Sequence, residues 1–306
     1  MNIIGHKYIY LAISGLLVLG GVAAFLIFGL REGIDFTGGS LIEIEFRKSD
    51  ASYVHPEPDR IRRALDGLDL GTITVQPAGD GILLRFKTVD EDTHQEILRR
   101  LRTTTPDRNE ALEKRFDAIG PTIGVELRRR SMLAIGLAII VIMLYIAWAF
   151  RHVSEPLPSW KYGVVAIATL VHDVAIPTGL FAVLGHFYGI EVDSLFITAL
   201  LTVMGFSVHD TIVVFDRTRE NLHKTKSGES YESIVNRSIN ETLARSINTS
   251  LTVLLVLGAI FFFGGSTVHY FSLALAVGII FGTYSSIFVA SPLLVIWNDL
   301  SGPKRS

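Results

Sequence analysis

Six long apolar stretches constrain the fold of this chain more than any other feature of its sequence. The chain has 306 residues, of which 49% are hydrophobic and only 19% are charged, and its mean hydropathy is +0.42. Crossing a bilayer takes about 20 helical residues, so each stretch is long enough to be a membrane span. We therefore predict a mainly α-helical membrane protein with six transmembrane helices, near 8–30, 131–150, 162–187, 193–215, 247–263 and 270–297.

Composition and motifs argue against several other classes of protein. The net charge of −2 does not suit a nucleic-acid binder, and a chain without cysteines has neither disulfides nor thiolate metal sites. A G-x-S-x-G elbow, a phosphate loop and a dinucleotide fingerprint are all missing from the sequence. No second His or carboxylate stands at metal-ligand spacing on a predicted span. We predict no catalytic residues, no metal, no cofactor and no nucleic-acid partner.

The distribution of Lys and Arg predicts the orientation in the membrane. With a cytoplasmic N-terminus the loops 188–192 and 264–269 are external, and they carry neither residue type. The cationic residues on the inner side are then Lys7, Arg151, Lys161, Arg217, Arg219, Lys224, Lys226, Arg237, Arg245, Lys304 and Arg305. Arg128, Arg129 and Arg130 oppose this arrangement, but they end a long translocated segment, where the charge bias is weaker. Both termini are predicted to be cytoplasmic, with residues 298–306 as a tail.

The polar segment 31–130 is predicted to be an extracytoplasmic α+β domain. Its alternating runs and turn signals indicate four strands, and its helical spacing indicates two helices, the second with Asp92 or Thr93 as N-cap. The resulting order β-α-β-β-α-β is the ferredoxin-like pattern, which by itself says nothing about function. The predicted elements are a strand at 41–46, a helix at 58–68, a hairpin of 72–77 and 82–87 around AGDG, a helix at 92–102 and a strand at 113–120.

The motif REGIDFTGGS, residues 31–40, directly follows the first span. Gly33, Gly38 and Gly39 allow tight turns with positive φ. Asp35 and Thr37 are of the types that form hydrogen bonds within their own loop. We interpret this motif as a rigid turn that leads into the first strand.

Ionisable residues inside the spans are the candidates for function, because an Asp or Arg at the centre of a membrane helix costs about 2.5–3.5 kcal/mol to insert. Asp173, Asp210 and Arg245 are the principal ones. His172, His209 and His186 are weaker, and for His172 and His209 a role as hydrogen-bonded packing residues is favoured over metal binding. Asp173 lies near the middle of the third span, where Pro177 interrupts the hydrogen-bond ladder of the helix.

Helical spacing places polar groups around Asp210 and Arg245. Ser207 and Thr211 share one face with Asp210, and Gly205 would permit close packing of another helix. In the fifth span a polar stripe is formed by Arg245, Asn248, Thr249 and Thr252. Lipid cannot satisfy such groups, so we predict that Asp210 pairs with Arg245 and takes part in a proton relay. Two alternatives stay open: a static ion pair that holds two helices together, or an Arg245 that reaches to the headgroups.

Five motifs are spread along essentially the whole chain: GIDFTGGS, IGPTIGVELRRRSMLAI, GFSVHDTIVVFDRTREN, LARSINTSLTVLL and FGTYSSIFVASPLLV. Through these motifs the chain resembles the SecF family of protein-export membrane proteins. The resemblance implies kinship with proton-driven exporters of the resistance-nodulation-division superfamily. It also implies pairing with SecD, work beside the SecYEG channel on exported unfolded polypeptides, and use of the proton motive force across the cytoplasmic membrane.

Within that resemblance Asp210, Arg245 and Thr249 match the residues implied for the proton relay, and a partner Asp is expected from SecD. The chain departs from the family pattern at several positions. Phe206 and His209 stand where GYSxND is common, and Ala244 and Ser246 flank Arg245 where SRT is usual. Two other classes of function compete with this one: half of a proton-driven exporter of small substrates, and a structural scaffold whose ion pair never titrates.

Overall fold

The structure, a computed structural model, describes residues 1–47, 56–78, 81–104, 110–149, 157–224 and 229–301. It contains two compact units. The helical unit comprises Met1–Leu30, Leu133–Ile190 and Leu195–Ser306, and the sheet unit comprises Arg31–Met132 and Glu191–Ser194. Of the residues used to predict the orientation, Arg151, Lys226, Lys304 and Arg305 lie outside the described residues, as does 302–306 of the predicted tail.

The elements follow one another in this order: α1 (Lys7–Phe28), α2 (Ile34–Thr37), β1 (Gly39–Arg47), α3 (Pro58–Ala64), β2 (Thr74–Ala78), β3 (Gly81–Phe86), α4 (Glu91–Thr104), β4 (Glu110–Ile119), α5 (Pro121–Ala149), α6 (Ser159–Tyr188), α7 (Ser194–Lys224), α8 (Tyr231–Phe263), α9 (Ser266–Ser285) and α10 (Ser291–Ser301). A 3₁₀ turn, Ile4–His6, precedes α1, and a π-helical turn, Ser286–Ala290, joins α9 to α10.

Six helical segments among the described residues are long and apolar enough to cross a membrane, which confirms the predicted number. The last of them runs from α9 through the π turn to the end of α10. The longest extensions beyond the apolar stretches are in three spans: α5 begins at Pro121, α7 continues to Lys224, and α8 begins at Tyr231. An apolar run marks only the part of a helix suited to hydrocarbon, whereas backbone hydrogen bonds continue through polar residues. Ser230 caps α8 by accepting the Ser233 N–H at 3.2 Å.

The helices of the helical unit differ in how much of their surface is buried. More than half of the residues are buried in the apolar parts of α6, α7 and the last span, but fewer than a fifth in α1, α5 and α8. Helices α1 and α6 touch through glycines, because a Cβ on Gly179 would collide with the backbone of Gly21. Gly205 has no close neighbour among the described residues, since no atom would lie within 4 Å of a Cβ there, so its role in helix packing stays a prediction.

The sheet unit has the predicted ferredoxin-like connectivity. Its four strands are antiparallel in the order β2-β3-β1-β4, with α3 between β1 and β2 and α4 between β3 and β4. The pairing of Ala78 with Gly81 confirms the hairpin, although residues 79 and 80 of its turn lie outside the described residues. The core contains the fully buried side chains of Ile42, Ile44 and Phe46.

Helix α4 begins one residue earlier than its polar pattern suggested. The N-cap prediction of Asp92 or Thr93 is wrong, because the Asp90 carboxylate accepts the Thr93 N–H at 3.0 Å. The Thr93 hydroxyl and then this N–H lower the pKa of Asp90, since their hydrogen bonds stabilise the charged form of the carboxyl group. The sequence Asp-Glu-Asp-Thr offers several capping side chains, and only the three-dimensional structure shows which one is used.

The glycine-rich motif forms a tight turn, with two differences from the prediction. Gly38 and Gly39 have positive φ of 74° and 128°, as predicted, but Gly33 is extended at φ −79° and ψ −179°. The Thr37 hydroxyl donates to the Gly33 carbonyl at 3.0 Å, within its own loop. Asp35 instead accepts the N–H and the hydroxyl of Ser194, the former at 2.9 Å. Tertiary contact with 191–194 therefore replaces the local bond predicted for Asp35.

Candidate functional site

Among the described residues, two carboxylates are buried inside the helical unit, and the first is Asp173 on α6. Its side chain has no solvent exposure. His172 Nδ1 lies 2.7 Å from Asp173 Oδ1, and the hydroxyls of Ser207 and Ser285 both donate to Oδ2, the latter at 2.7 Å. Among the ion pairs of the described residues, none joins Asp173 to a Lys or an Arg. The Asp173 carboxylate is therefore stabilised by hydrogen bonds from two hydroxyls and one imidazole, which leave its charge in place.

The second carboxylate, Asp210 on α7, has a hydrogen-bond partner on only one of its two oxygens within the described residues. Oδ1 accepts the Ser246 hydroxyl at 2.6 Å, whereas Oδ2 is buried with no hydrogen-bond partner. Next to it the hydroxyls of Thr211 and Ser286 lie 2.9 Å apart. The Ser286 hydroxyl also lies near the Asp210 carboxylate. This leaves one carboxylate oxygen open to a proton.

Helix geometry explains why these groups meet. Ser207, Asp210 and Thr211 are all buried, which confirms the predicted shared face of α7. Gly282 lets α9 approach α7 at this level, since a Cβ there would lie only 3.1 Å from Ser207 Cβ. Ser285 ends α9 and Ser286 begins the π turn, and both side chains are fully buried. π-helical turns often occur at functional sites, where they redirect side chains.

The predicted ion pair between Asp210 and Arg245 is not formed. Arg245 is exposed, and none of its guanidinium nitrogens lies within 4.0 Å of an Asp210 carboxylate oxygen. Its positive charge interacts with the carboxylate only from a greater distance. The rest of its stripe, Asn248, Thr249 and Thr252, is exposed as well. Successive residues of an α-helix point about 100° apart, so the neighbour of Arg245, Ser246, takes the inward position.

The remaining candidates divide in the same way between interior and surface. His172 is 3% exposed and bonded to Asp173, so it is both buried and hydrogen-bonded. His209 is exposed, so the corresponding prediction for it is wrong. The Thr249 hydroxyl only donates to the backbone carbonyl of Arg245 at 2.9 Å. His186 stacks on Phe28 with ring centroids 4.5 Å apart, which is a packing contact.

Sequence analysis missed the hydroxyl groups that connect the site. Ser246 and Ser250 face inward from α8, and the Ser250 hydroxyl bonds to Thr283 on α9. In an apolar run a serine resembles an ordinary helix-packing residue. The i, i+4 spacing of Ser246 and Ser250 was the signal that could have found them. Among the described residues, no group of three His, Cys, Asp or Glu side chains could hold a metal ion.

These features define a class of protein before any comparison is made. A carboxylate inside a membrane helix is expensive, faces the interior of the bundle, and typically marks a path for protons, ions or substrate. The chain combines six candidate spans with two such carboxylates, joined to hydroxyls from α7, α8 and the last span. It is a multi-pass membrane protein with an ionisable site inside its helical unit.

Comparison with known proteins assigns the family. The family model described as "Protein export membrane protein SecD/SecF, C-terminal" matches residues 100–300, and the one described as "SecD/SecF GG Motif" matches residues 23–50. The "Protein translocase subunit SecF" of Thermobaculum terrenum is 43% identical, with 98% of this chain and 94% of the relative covered. That of Anaerolinea thermophila is 42% identical over the same shares of the two chains.

A solved structure gives the same result. The crystal structure of SecDF, a translocon-associated membrane protein from Thermus thermophilus, superposes with a TM-score of 0.82 at 34% identity. The alignment covers 98% of this chain and 39% of the SecDF chain, so the chain spans about two fifths of that protein. The chain belongs to the SecD/SecF family of protein-export membrane proteins, and its full-length relatives assign it to the SecF branch, the protein translocase subunits.

Proposed function

We propose that this chain, as an auxiliary subunit of the Sec translocase, uses the proton motive force with SecD to promote late stages of protein export. Asp210 is the residue at which proton binding matters most. The supporting observation is its buried Oδ2, which has no hydrogen-bond partner, beside an Oδ1 that is bonded to a neutral hydroxyl. Protonation of Oδ2 neutralises a buried charge without breaking an ion pair, so the site can cycle between two states.

Arg245 contributes from the surface of the helical unit, with Thr249 on the same stripe. A guanidinium exposed within a membrane span needs a polar partner, because lipid offers none. Arg245 forms no ion pair with Asp210, so we assign its partner to SecD, as a carboxylate facing this stripe. The similar solved protein is named SecDF and is much longer than this chain, which supports such an arrangement.

The remaining parts of the proposal concern location and partners. Both termini lie in the cytoplasm, residues 1–30 form the first span, 31–130 form the extracytoplasmic domain, 131–297 carry the other five spans, and 298–306 form the tail. The protein resides in the cytoplasmic membrane and assists the SecYEG channel in moving unfolded polypeptides. The names of the relatives support a transport role rather than an enzymatic one.

The decisive experiment replaces Asp210 in vesicles that contain the full chain, SecD and SecYEG. Asp210→Asn is expected to reduce gradient-stimulated export to the rate seen without a proton gradient, because the amide cannot bind and release a proton. Asp216→Asn is the matched control, since Asp216 is on the same helix and pairs with Arg219 at 3.0 Å. Full stimulation by Asp210→Asn at normal expression would contradict the proposal.

A second experiment separates the proposal from its rivals. Arg245→Gln is expected to weaken the recovery of SecD with this chain, whereas Arg237→Gln on the same helix should not, because Arg237 pairs with Glu229. A half-exporter of small substrates would work without SecYEG. A scaffold would keep stimulating export when Asp210→Asn and Arg245→Gln are combined.

A further inference from the structure

Two buried side-chain atoms of the helical unit, within the described residues, have no hydrogen-bond partner. One is Asp210 Oδ2, and the other is His172 Nε2. Nearly all buried polar atoms in proteins are bonded, so each exception calls for an explanation. Asp210 Oδ2 belongs to the proposed proton site, whereas His172 Nε2 has no assigned role. The Asp173 carboxylate that bonds to His172 accepts from Ser207 and Ser285, and Asp210 lies near Ser286, the residue that follows Ser285.

The connection between them runs along α7. Asp173 accepts the Ser207 hydroxyl, and Ser207 precedes Asp210 by three residues on the same buried face. Three residues correspond to about 4.5 Å along the helix axis. The last span provides a second connection, because Ser285 donates to Asp173 while its neighbour Ser286 bonds to Thr211. The His172–Asp173 pair is thus one helical turn from Asp210.

The surroundings of His172 leave its ring with a defined proton arrangement. Nδ1 faces the Asp173 carboxylate at 2.7 Å and is therefore the atom that carries the hydrogen, which leaves a bare lone pair on Nε2. From α9, Tyr284 stacks on the imidazole with ring centroids 6.2 Å apart. From α1, Ser14 donates to the Tyr284 hydroxyl, which itself donates to the Tyr10 carbonyl.

Among the residues that the structure describes, no Lys or Arg forms an ion pair with the His172–Asp173 pair. The groups that face it from the other packed elements are the hydroxyls of Ser207, Ser285 and Tyr284, together with the ring of Phe281. The nearest titratable carboxyl group on α7 is Asp210. In the described part of the chain, the ion pairs of Asp173 include only His172. A buried carboxylate beside a neutral imidazole carries one net negative charge, which one added proton would cancel.

We propose that His172 Nε2 is a second proton-accepting atom, with Asp173 as its counter-ion, in series with Asp210. The inference rests on the proposed proton-driven function. Uptake forms one N–H bond at Nε2 while a hydronium ion in the site loses the matching O–H bond and becomes water, and the pair changes from a carboxylate with a neutral imidazole to a carboxylate with an imidazolium. Release breaks the N–H bond and forms an O–H bond on a water molecule, which carries the proton on towards Asp210. Asp173 holds Nδ1–H throughout, which keeps Nε2 as the exchanging atom.

In the proposed orientation this site lies on the outer side of Asp210. Helix α7 runs inward from Ser194, so Ser207 and the Asp173 that it contacts are one turn nearer the outside than Asp210. Asp210 itself is close to the cytoplasmic end of the span. His172 therefore provides the next proton site along a path that must cross the rest of the membrane.

The test is a nitrogen-15 NMR titration of the full chain in lipid bilayers, with ¹⁵N-labelled histidine and His172→Gln to assign the resonance. At alkaline pH we expect the His172 Nε2 signal of a bare ring nitrogen and the Nδ1 signal of a protonated one. On acidification the Nε2 signal should change to that of an N–H. In Asp173→Asn the carboxylate that keeps the hydrogen on Nδ1 is lost. The ring should then exchange between its two tautomers, so that both nitrogens show averaged signals at alkaline pH. If His172→Gln fails to fold, this change in Asp173→Asn assigns the resonance instead.

An Nε2 signal that stays constant across the titration, whether bare or protonated, would overturn the proposal. In vesicles with SecD and SecYEG, His172→Gln should reduce gradient-stimulated export, whereas His223→Gln, at the exposed end of α7, should not. The two proposals can fail separately. If Asp210→Asn keeps full gradient stimulation, the proposed function fails, while the His172 resonance still decides whether this site binds a proton.

Discussion

The two units of this protein place their polar and apolar groups in opposite ways. The sheet unit buries Ile42, Ile44 and Phe46 completely. The helical unit buries Asp173 and Ser285 completely and turns large apolar side chains outward, including Phe263, which is 90% exposed. The difference follows from the solvent of each unit, because water penalises exposed apolar surface whereas a bilayer penalises exposed polar groups.

The units also treat their carboxylates differently. In the sheet unit Glu45 lies against Arg47 and Lys114, the latter at 2.8 Å, so its charge is met by two cations. In the helical unit Asp173 and Asp210 are bonded by serine hydroxyls. Neighbouring cations favour the charged form of a carboxylate. Hydroxyl groups favour that form less strongly, so a carboxylate bonded to hydroxyls takes up a proton more easily. The interior of the helical unit is therefore the part suited to proton exchange.

The largest expected effect tests the apolar core of the sheet unit. Phe46→Ala should destabilise this unit by about 3–5 kcal/mol, because it removes a fully buried aromatic side chain and leaves a cavity. Hydrogen exchange of the sheet unit within the full chain would measure the loss. Leu112→Ala on β4, where the side chain is 36% exposed, should change stability by no more than about 0.5 kcal/mol. Equal losses from the two variants would contradict the assigned core.

An intermediate effect tests the packing of the helical unit. Gly179→Ala should cost about 1–3 kcal/mol, since the new methyl group meets the backbone of α1 at Gly21 and the helices must separate. Thermal unfolding of the full chain in bilayers would show the change. Gly205→Ala is the matched control, because a Cβ there meets no atom and alanine favours the helix. A stable Gly179→Ala variant would mean that α1 does not depend on this close approach.

The smallest effect concerns pH and the sheet unit. Hydrogen bonds from Lys114 and then Arg47 hold the pKa of Glu45 below its ordinary value of 4.5. Its contribution to stability is therefore complete above pH 4.5 and is lost as the pH falls through the lowered folded-state value. The side chains of Arg47 and Lys114 are 39% and 45% exposed, so the contribution should not exceed about 1 kcal/mol.

Glu45→Gln should accordingly flatten the acid side of the stability profile of the sheet unit and leave its neutral stability slightly lower. Near-ultraviolet circular dichroism of the full chain during acid titration would follow the transition. An unchanged acid slope in this variant would show that Glu45 is not among the groups that bind protons on unfolding.

Much of the fold could be predicted from sequence because it depends on local periodicity. The length of the apolar stretches identified the six spans. The alternation of apolar and polar residues, together with turn signals, identified the order of strands and helices in the sheet unit. Helix ends were predicted less well. Tyr231 begins α8 far ahead of its apolar run, because a polar helix and an apolar helix have the same backbone hydrogen bonds. Asp35 bonds to Ser194 through a tertiary contact that local sequence cannot indicate.

The candidate site shows the same division. Sequence alone identified Asp173 and Asp210, because a carboxylate within an apolar run is costly wherever the helices lie. It did not determine which groups would meet them. Turning α8 about its axis by one residue would replace the observed Asp210–Ser246 hydrogen bond with an Asp210–Arg245 pair. The packing of α7, α8 and α9 determines which of the two residues faces Asp210. The sequence determined that charge would be buried in the membrane, and only the tertiary structure determined that hydroxyls would hold it.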